Sequence, residues 1–256
     1  MKKTWLAAIR FTSDLASGLG DSGAQVRQGR QVDADQLFAD ASRAHTSKGF
    51  LEAILNAKQE WRISRLHRSE LKKLGPFLQR REKKVNLGCG PNPKPGWINI
   101  DLFDPGADLR LDLREKWPFA DSSVSHIYSE HVFEHFELHE EVVHFLSEAH
   151  RVLQSAGLFN VGVPDTEWPL RAYGNPDNPY WPFSKTVHPQ WCETQLDHIN
   201  YHFRQDGEHK YAWDFETLAR SLRRFGFTEV SRREFDPALD AEFRRTGTLY
   251  VTAIKP

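Results

Sequence analysis

The sequence predicts an α/β protein with a seven-stranded, mostly parallel sheet, an antiparallel C-terminal strand, an N-terminal helical extension and a cap inserted before the last helix. Three observations carry that prediction. From Lys83 onward, short apolar runs alternate with helix-period segments, the pattern of a parallel sheet covered on both faces. The first run, Val85-Asn86-Leu87, passes straight into a glycine turn, Gly88-Cys89-Gly90. The last two runs, Phe227 to Phe235 and Thr248 to Ile254, are separated by only a loop, which suits an antiparallel pair.

The chain of 256 residues has room for one full α/β domain and an appendage. Residues 11 to 47 are rich in Ser, Gly, Gln, Asp and Ala and hold few large apolar groups, so a mobile or weakly helical leader is expected there. Ahead of it, Met1-Lys2-Lys3 and the apolar Trp5 to Ile9 hint at a secretory signal. Arg10 ends that run well short of a normal apolar region, so a cytoplasmic protein is expected. From Gly49, Leu51, Ile54, Leu55, Trp61 and Leu66 recur at roughly helical spacing among basic residues, and Leu71, Leu74, Phe77 and Leu78 extend the pattern past a break at Gly75-Pro76. This extension, residues 1 to 82, precedes a domain over residues 83 to 256.

Within that domain, strands are expected at 84–87, 97–102, 109–113, 124–129 and 158–163, before the final pair at 227–235 and 248–254. A helix carrying Leu138, Val142, Phe145, Leu146, Ala149, Val152 and Leu153 fills the gap before the fifth strand, with Gly157 as its stop. Residues 166 to 213 form a Pro- and aromatic-rich cap. Asp214 then caps a helix bearing Phe215, Leu218, Leu222 and Phe225 that stops at Gly226.

Composition excludes several functions. No apolar run approaches the roughly 18 residues that cross a bilayer. Two cysteines cannot build a disulfide framework or a four-cysteine metal site. The net charge of -1 hides an asymmetry: residues 1 to 84 carry 17 Lys/Arg against 9 Asp/Glu, and the remainder 17 against 26. A basic extension can grip phosphates, but a solvated helix face explains it as well, so nucleic acid is the lesser expectation.

The candidate site starts at the glycine turn, where Gly88 and Gly90 let the backbone bend tightly and approach a ligand. Asp101 ends the next strand, near the offset at which an acid meets a ribose, and Leu102 follows it. Asp112 offers a carboxylate to an adenine amino group while Leu113 packs on the ring. The succession Asn86-Leu87-Gly88-Cys89-Gly90, Trp97-Ile98-Asn99-Ile100-Asp101, Leu111-Asp112-Leu113, Ser129-Glu130-His131-Val132-Phe133-Glu134-His135 and Arg151-Val152-Leu153-Gln154-Ser155-Ala156-Gly157 resembles the class I methyltransferases. Within them it is similar to bacterial predicted methyltransferases of unassigned substrate. The resemblance implies a Rossmann-like fold, S-adenosylmethionine as cofactor, and a cofactor site at Asn86, Gly88, Cys89, Gly90, Asp101, Leu102, Asp112, Leu113, Ser129 and Glu130. It departs from the family pattern where Asn86 replaces a common acid and where Asn92 falls near the usual third glycine. The second departure also weakens a rival dehydrogenase reading.

Ten of the twelve histidines fall between His126 and His209. His131, His135, His198 and His202 are candidate bases, since neutral imidazole takes protons near pH 7. The pairs His131/His135 and His198/His202 have the spacing of metal ligands on a helix. Glu134, however, does not follow its first histidine directly as in a helical zinc protease motif, and no metal is expected. The function implied is methyl transfer to a small-molecule or glycan acceptor, at oxygen or nitrogen. The alternatives are an RNA or protein methyltransferase that uses the basic extension, and a cofactor-binding module without activity.

Overall fold

The computed structural model describes residues 34–44 and 47–256, in two compact units divided between Arg62 and Ile63. The signal-like start and most of the expected leader lie outside the described residues. Helix α1 (Ala34–Ala44) and the first part of α2 (Lys48–Glu70) form the first unit. Within it Asp35 lies 3.4 Å from Lys58 Nζ, and Phe38 meets Trp61 edge to face at 6.3 Å.

The second unit begins inside α2, whose buried Ile63, His67 and Glu70 fall on one stripe at helical spacing. The long helix ends at Glu70, ahead of the break expected at Gly75-Pro76, and passes through a 3₁₀ turn at Leu71–Lys73 into the short α3 (Gly75–Leu78), which Gly75-Pro76 begin. Leu71, Leu74 and Phe77 pack against the main core, so residues 63–82, expected to belong to the extension, are part of the sheet unit.

The sheet has six strands among the described residues: β1 (Lys84–Leu87), β2 (Ile98–Ile100), β3 (Val124–Glu130), β4 (Leu153–Pro164), β5 (Thr228–Arg232) and β6 (Thr248–Ile254). Their order is β2-β1-β3-β4-β6-β5. The first four run parallel, while β6 is antiparallel to both of its neighbours. The architecture is the Rossmann-like α/β sheet anticipated, with one strand fewer. The expected strand over 109–113 makes a single bridge, Leu109 to Ile100. Side chains take the hydrogen bonds a strand would use: Asn99 N–H donates to the Asp108 carboxylate at 2.8 Å, and Asp112 N–H donates to His67 Nδ1 at 3.1 Å.

Helices do not separate every pair of parallel strands. Among the first four, only β3 and β4 have one between them, α4 (Glu141–Val152). Pro91, Pro93 and Pro95 bar a helix from the link between β1 and β2. Helix α4 buries Val142, Phe145, Leu146, Ala149 and Val152 as its stripe predicts. It stops at Val152, not at Gly157, which lies inside β4.

After β4 the chain forms α5 (Glu167–Ala172), α6 (Tyr180–Val187) and α7 (Gln195–Arg204) before α8 (Phe215–Arg224). Ala172, Tyr180 and Trp181 make a second small core, with Trp168, Phe183 and Ile199 against it. Thr166 Oγ1 donates to the Trp213 carbonyl at 2.6 Å, so the two ends of this insertion meet. Asp214 caps α8 as expected, its Oδ1 accepting from Thr217 N at 2.8 Å. No helix among the described residues is long and apolar enough to cross a membrane.

Candidate active site

Strands β1 to β4 all point their carboxyl ends to one edge, the edge at which open α/β sheets bind ligands. There the glycine turn leaves β1 with Gly88 at φ +65° and Gly90 at φ +48°. A Cβ on Gly88 would lie 2.1 Å from Val132 Cγ2, so glycine is required for the turn to pack beneath the chain leaving β3.

Asn86, Gly88, Cys89, Gly90, Lys94 and Glu130 line a narrow cleft at this turn, with Arg244 at its rim. Five of the expected cofactor residues are thereby brought together. Asp101 stands behind the cleft and accepts from Gly90 N at 2.9 Å, Phe103 N at 2.8 Å and Asp104 N at 2.9 Å. A carboxylate has about four acceptor positions, so one is left after these three bonds. Leu102 is half-buried beside it.

Asn86 is buried, and its Nδ2 donates to Asn99 Oδ1 at 3.0 Å; its carbonyl oxygen is left for a ligand. Burial, with the Asp101 charge beside it, pushes the Cys89 thiol up to about 12, so it is no nucleophile. Ser129 is buried, and its hydroxyl has no hydrogen-bond partner. Glu130 is held by the Tyr250 hydroxyl at 3.0 Å.

Asp112 and Leu113 are both buried outside this cleft. Arg114 grips both Asp112 oxygens, at 3.0 Å through Nε and 2.8 Å through NH2. The carboxylate reaches an adenine amino group only by sharing with, or releasing, that guanidinium. With the apolar Leu113 nearby in sequence and the Asn86 carbonyl oxygen left without a partner, the residues at the turn suit the donor and acceptor groups of S-adenosylmethionine.

A second cavity, of about 240 Å³, opens beside the insertion and is lined by His131, His188, Tyr201, His202, His209 and Arg244, among others. His131 leaves β3 at φ +55° with its Nε2 2.9 Å from Thr248 Oγ1. His202 Nδ1 lies 3.2 Å from the Tyr180 hydroxyl. Burial pulls the His188 ring down to about 4, His202 to about 3 and His209 to about 4, and lowers His131 as well, so these imidazoles are neutral at pH 7.

Of the four expected bases, His131 and His202 line this cavity. His198 reaches it only through His188, with Nδ1 atoms 3.0 Å apart, and His135 turns its Nδ1 to the Glu208 carbonyl at 3.0 Å. Sequence reasoning missed Arg244, whose NH1 donates to the Glu130 carbonyl at 2.7 Å and which borders both cavities. It also missed the buried carboxylate of Glu134. Arg244 lies in a short 3₁₀ turn between β5 and β6, where no motif announces it.

Residues 101–161 match a family model described as a methyltransferase domain, a span that runs from Asp101 into β4. No curated protein matches the chain. Among solved structures it is similar to a SAM-dependent methyltransferase from Archaeoglobus fulgidus, at 15% identity over 77% of this chain and 94% of that one, with a TM-score of 0.44. It is also similar to a possible histamine N-methyltransferase from Thermotoga maritima, at 16% identity over 79% and 96% with a TM-score of 0.41. A third, from Listeria monocytogenes, is described as a SAM-dependent methyltransferase and aligns at 17% identity over 75% and 99%, with a TM-score of 0.42.

Proposed function

We propose that the chain uses S-adenosylmethionine to methylate an oxygen or nitrogen of a small-molecule or glycan acceptor held in the histidine-lined cavity, a reading supported by the methyltransferase-domain match over residues 101–161. One observation carries this reading: Arg244 borders both that cavity and the glycine-turn cleft, so ligands in the two spaces are neighbours. About 240 Å³ suits a small acceptor or one sugar-sized group of a larger one. The insertion over residues 166–213 supplies His188, Tyr201, His202 and His209 to its wall and acts as the acceptor-binding cap.

S-adenosylmethionine supplies a methyl group that is already electrophilic on its sulfonium. The work left to the chain is alignment, exclusion of water and removal of the acceptor proton. His131 and His202, both neutral, line the cavity and are assigned that proton, and the cap's own core holds Tyr180 against His202. Arg244, held by the Glu130 carbonyl, fixes the boundary between the two ligands.

Labelled S-adenosylmethionine, incubated with the protein and an extract of the source cells, identifies the acceptor through the labelled product. His202→Ala is then expected to lower methyl transfer far more than S-adenosylmethionine affinity. Equal losses in both, or full transfer by a His131→Ala, His202→Ala protein, would remove this cavity from the reaction.

A further inference from the structure

Glu134 is 2% exposed, and neither carboxylate oxygen makes a hydrogen bond of normal geometry; its own backbone N–H offers only partial compensation for burial. A buried carboxylate without partners is costly, so a native fold keeps one only with a compensating charge or a bound proton. Two histidine rings approach it. His135 Nε2 lies 3.9 Å from Oε1, and His131 Nδ1 lies 3.5 Å from the same oxygen.

The ring tautomers of His135 and His209 follow from their other contacts. His135 Nδ1 faces the Glu208 carbonyl at 3.0 Å, and His209 Nδ1 faces the His202 carbonyl at 3.1 Å. A carbonyl only accepts, so both rings donate from Nδ1 and, when neutral, carry a lone pair on Nε2. Backbone carbonyls orienting imidazoles in this way are the usual outer support of metal-binding histidines. The potential ligand atoms of Glu134, His135 and His209 all lie within 4.8 Å of one another. The backbone also ties the two segments together, because the Glu134 carbonyl accepts from Lys210 N at 2.7 Å and Tyr211 N at 3.2 Å.

We propose that Glu134, His135 and His209 form a binding site for a divalent first-row transition-metal cation. One carboxylate and two imidazoles suit Zn²⁺ or Mn²⁺, and three protein ligands leave positions open. His209 also lines the acceptor cavity, so those positions adjoin the space where an acceptor oxygen would bind. That last step rests on the acceptor reading above; the cation site itself does not. The proposal departs from the sequence expectation of no metal, because its third ligand comes from a distant loop that adjacent spacing cannot reveal. A second cluster, His188, Cys192 and His198, makes a weaker case. Its two histidines already face each other at 3.0 Å, and burial raises the Cys192 thiol away from the thiolate that binds metal.

The full chain, stripped with chelator, is titrated with Zn²⁺ and Mn²⁺ by calorimetry, and dialysed samples are assayed for bound metal. One ion per chain is expected. His135→Ala and His209→Ala should each lower affinity by more than about tenfold, and Glu134→Gln likewise. Cys192→Ser should leave it unchanged. S-adenosylmethionine binding, measured on the same samples, reports that each variant is folded. If Glu134→Gln fails to fold, the two partly exposed histidines decide the matter. Absence of stoichiometric metal, retention of it in both histidine variants, or its loss in Cys192→Ser would overturn the proposal. Because no acceptor enters this measurement, a failure of the acceptor reading leaves its result intact.

Discussion

Asp101 supports the glycine turn through its bond to Gly90 N, and in the proposed function the same carboxylate takes a ribose hydroxyl. Asp101→Ala therefore loses both functions. S-adenosylmethionine affinity should fall roughly ten- to a hundredfold, at about 1.5–3 kcal/mol for a charged hydrogen bond. Asp101→Asn keeps one acceptor oxygen and should fall between the variant and the parent; calorimetry on all three checks the order. At Gly88 the expected damage is to stability. A side chain there meets Val132 at 2.1 Å and sits at φ +65°, so Gly88→Ala should cost about 2–5 kcal/mol in denaturant unfolding. Trimming the obstruction with Val132→Ala should recover only the packing part of that loss. The turn at Gly88 was legible because its own local sequence states it. Glu134 and His209 were not, since their relation exists only once the loop after α7 returns to the turn after β3.

The start of α8 is where sequence and structure agree most closely. Asp214 and Thr217 bond reciprocally at the start of α8, and the local pattern that predicts the cap needs nothing from elsewhere in the fold. Helix α7 has the same arrangement at Thr194 and Asp197, which the aromatic and histidine content of the cap hid from view. Thr194→Ala should destabilise α7 by about 1 kcal/mol. Since α7 carries His202 and Tyr201, methyl transfer should fall while S-adenosylmethionine affinity holds, a contrast read by parallel rate and binding assays. The missing seventh strand and the absent crossover helix were also written in the chain. Pro91, Pro93 and Pro95 forbid a helix. At residues 109–113 the alternation of apolar residues was real, but Asp108 and His67 take the edge hydrogen bonds, and the second of these comes from a remote helix.

Over the whole molecule, buried neutral histidines link folding to acidity. Burial, followed by the nearby Lys84 and Arg233 charges, holds His126 down at about 4, and burial holds His188 at about 4. Asn160 Nδ2 lies 2.7 Å from His126 Nε2 and donates to its lone pair, a bond that a proton on that nitrogen would break. The folded values lie below the ordinary 6.5, so the unfolded chain binds more protons between them. Each group's contribution is complete above pH 6.5 and is lost as pH falls toward 4. Denaturant unfolding at a series of pH values should show stability rising across that window. His126→Gln should reduce the slope by up to about 1.4 kcal/mol per pH unit, the limit for one linked proton. Charge at the same scale bears on the acceptor class: a basic grip on RNA would show binding that weakens steeply with salt, and filter binding at two ionic strengths should find no such dependence.

The hydrogen bond from Thr166 to the Trp213 carbonyl brings the departure and the return of the insertion to one point on the sheet. Everything between them is a detour with a closed neck, and its small core of Tyr180 and Trp181 is its own. A detour of that kind can be exchanged without moving a strand, provided the incoming segment keeps the bonds that Lys210 and Tyr211 make to the turn after β3. Divergence of acceptor choice among chains of this architecture then needs no change at the glycine turn, and a transplanted insertion joined at Thr166 and Trp213 should carry its donor's acceptor preference with it.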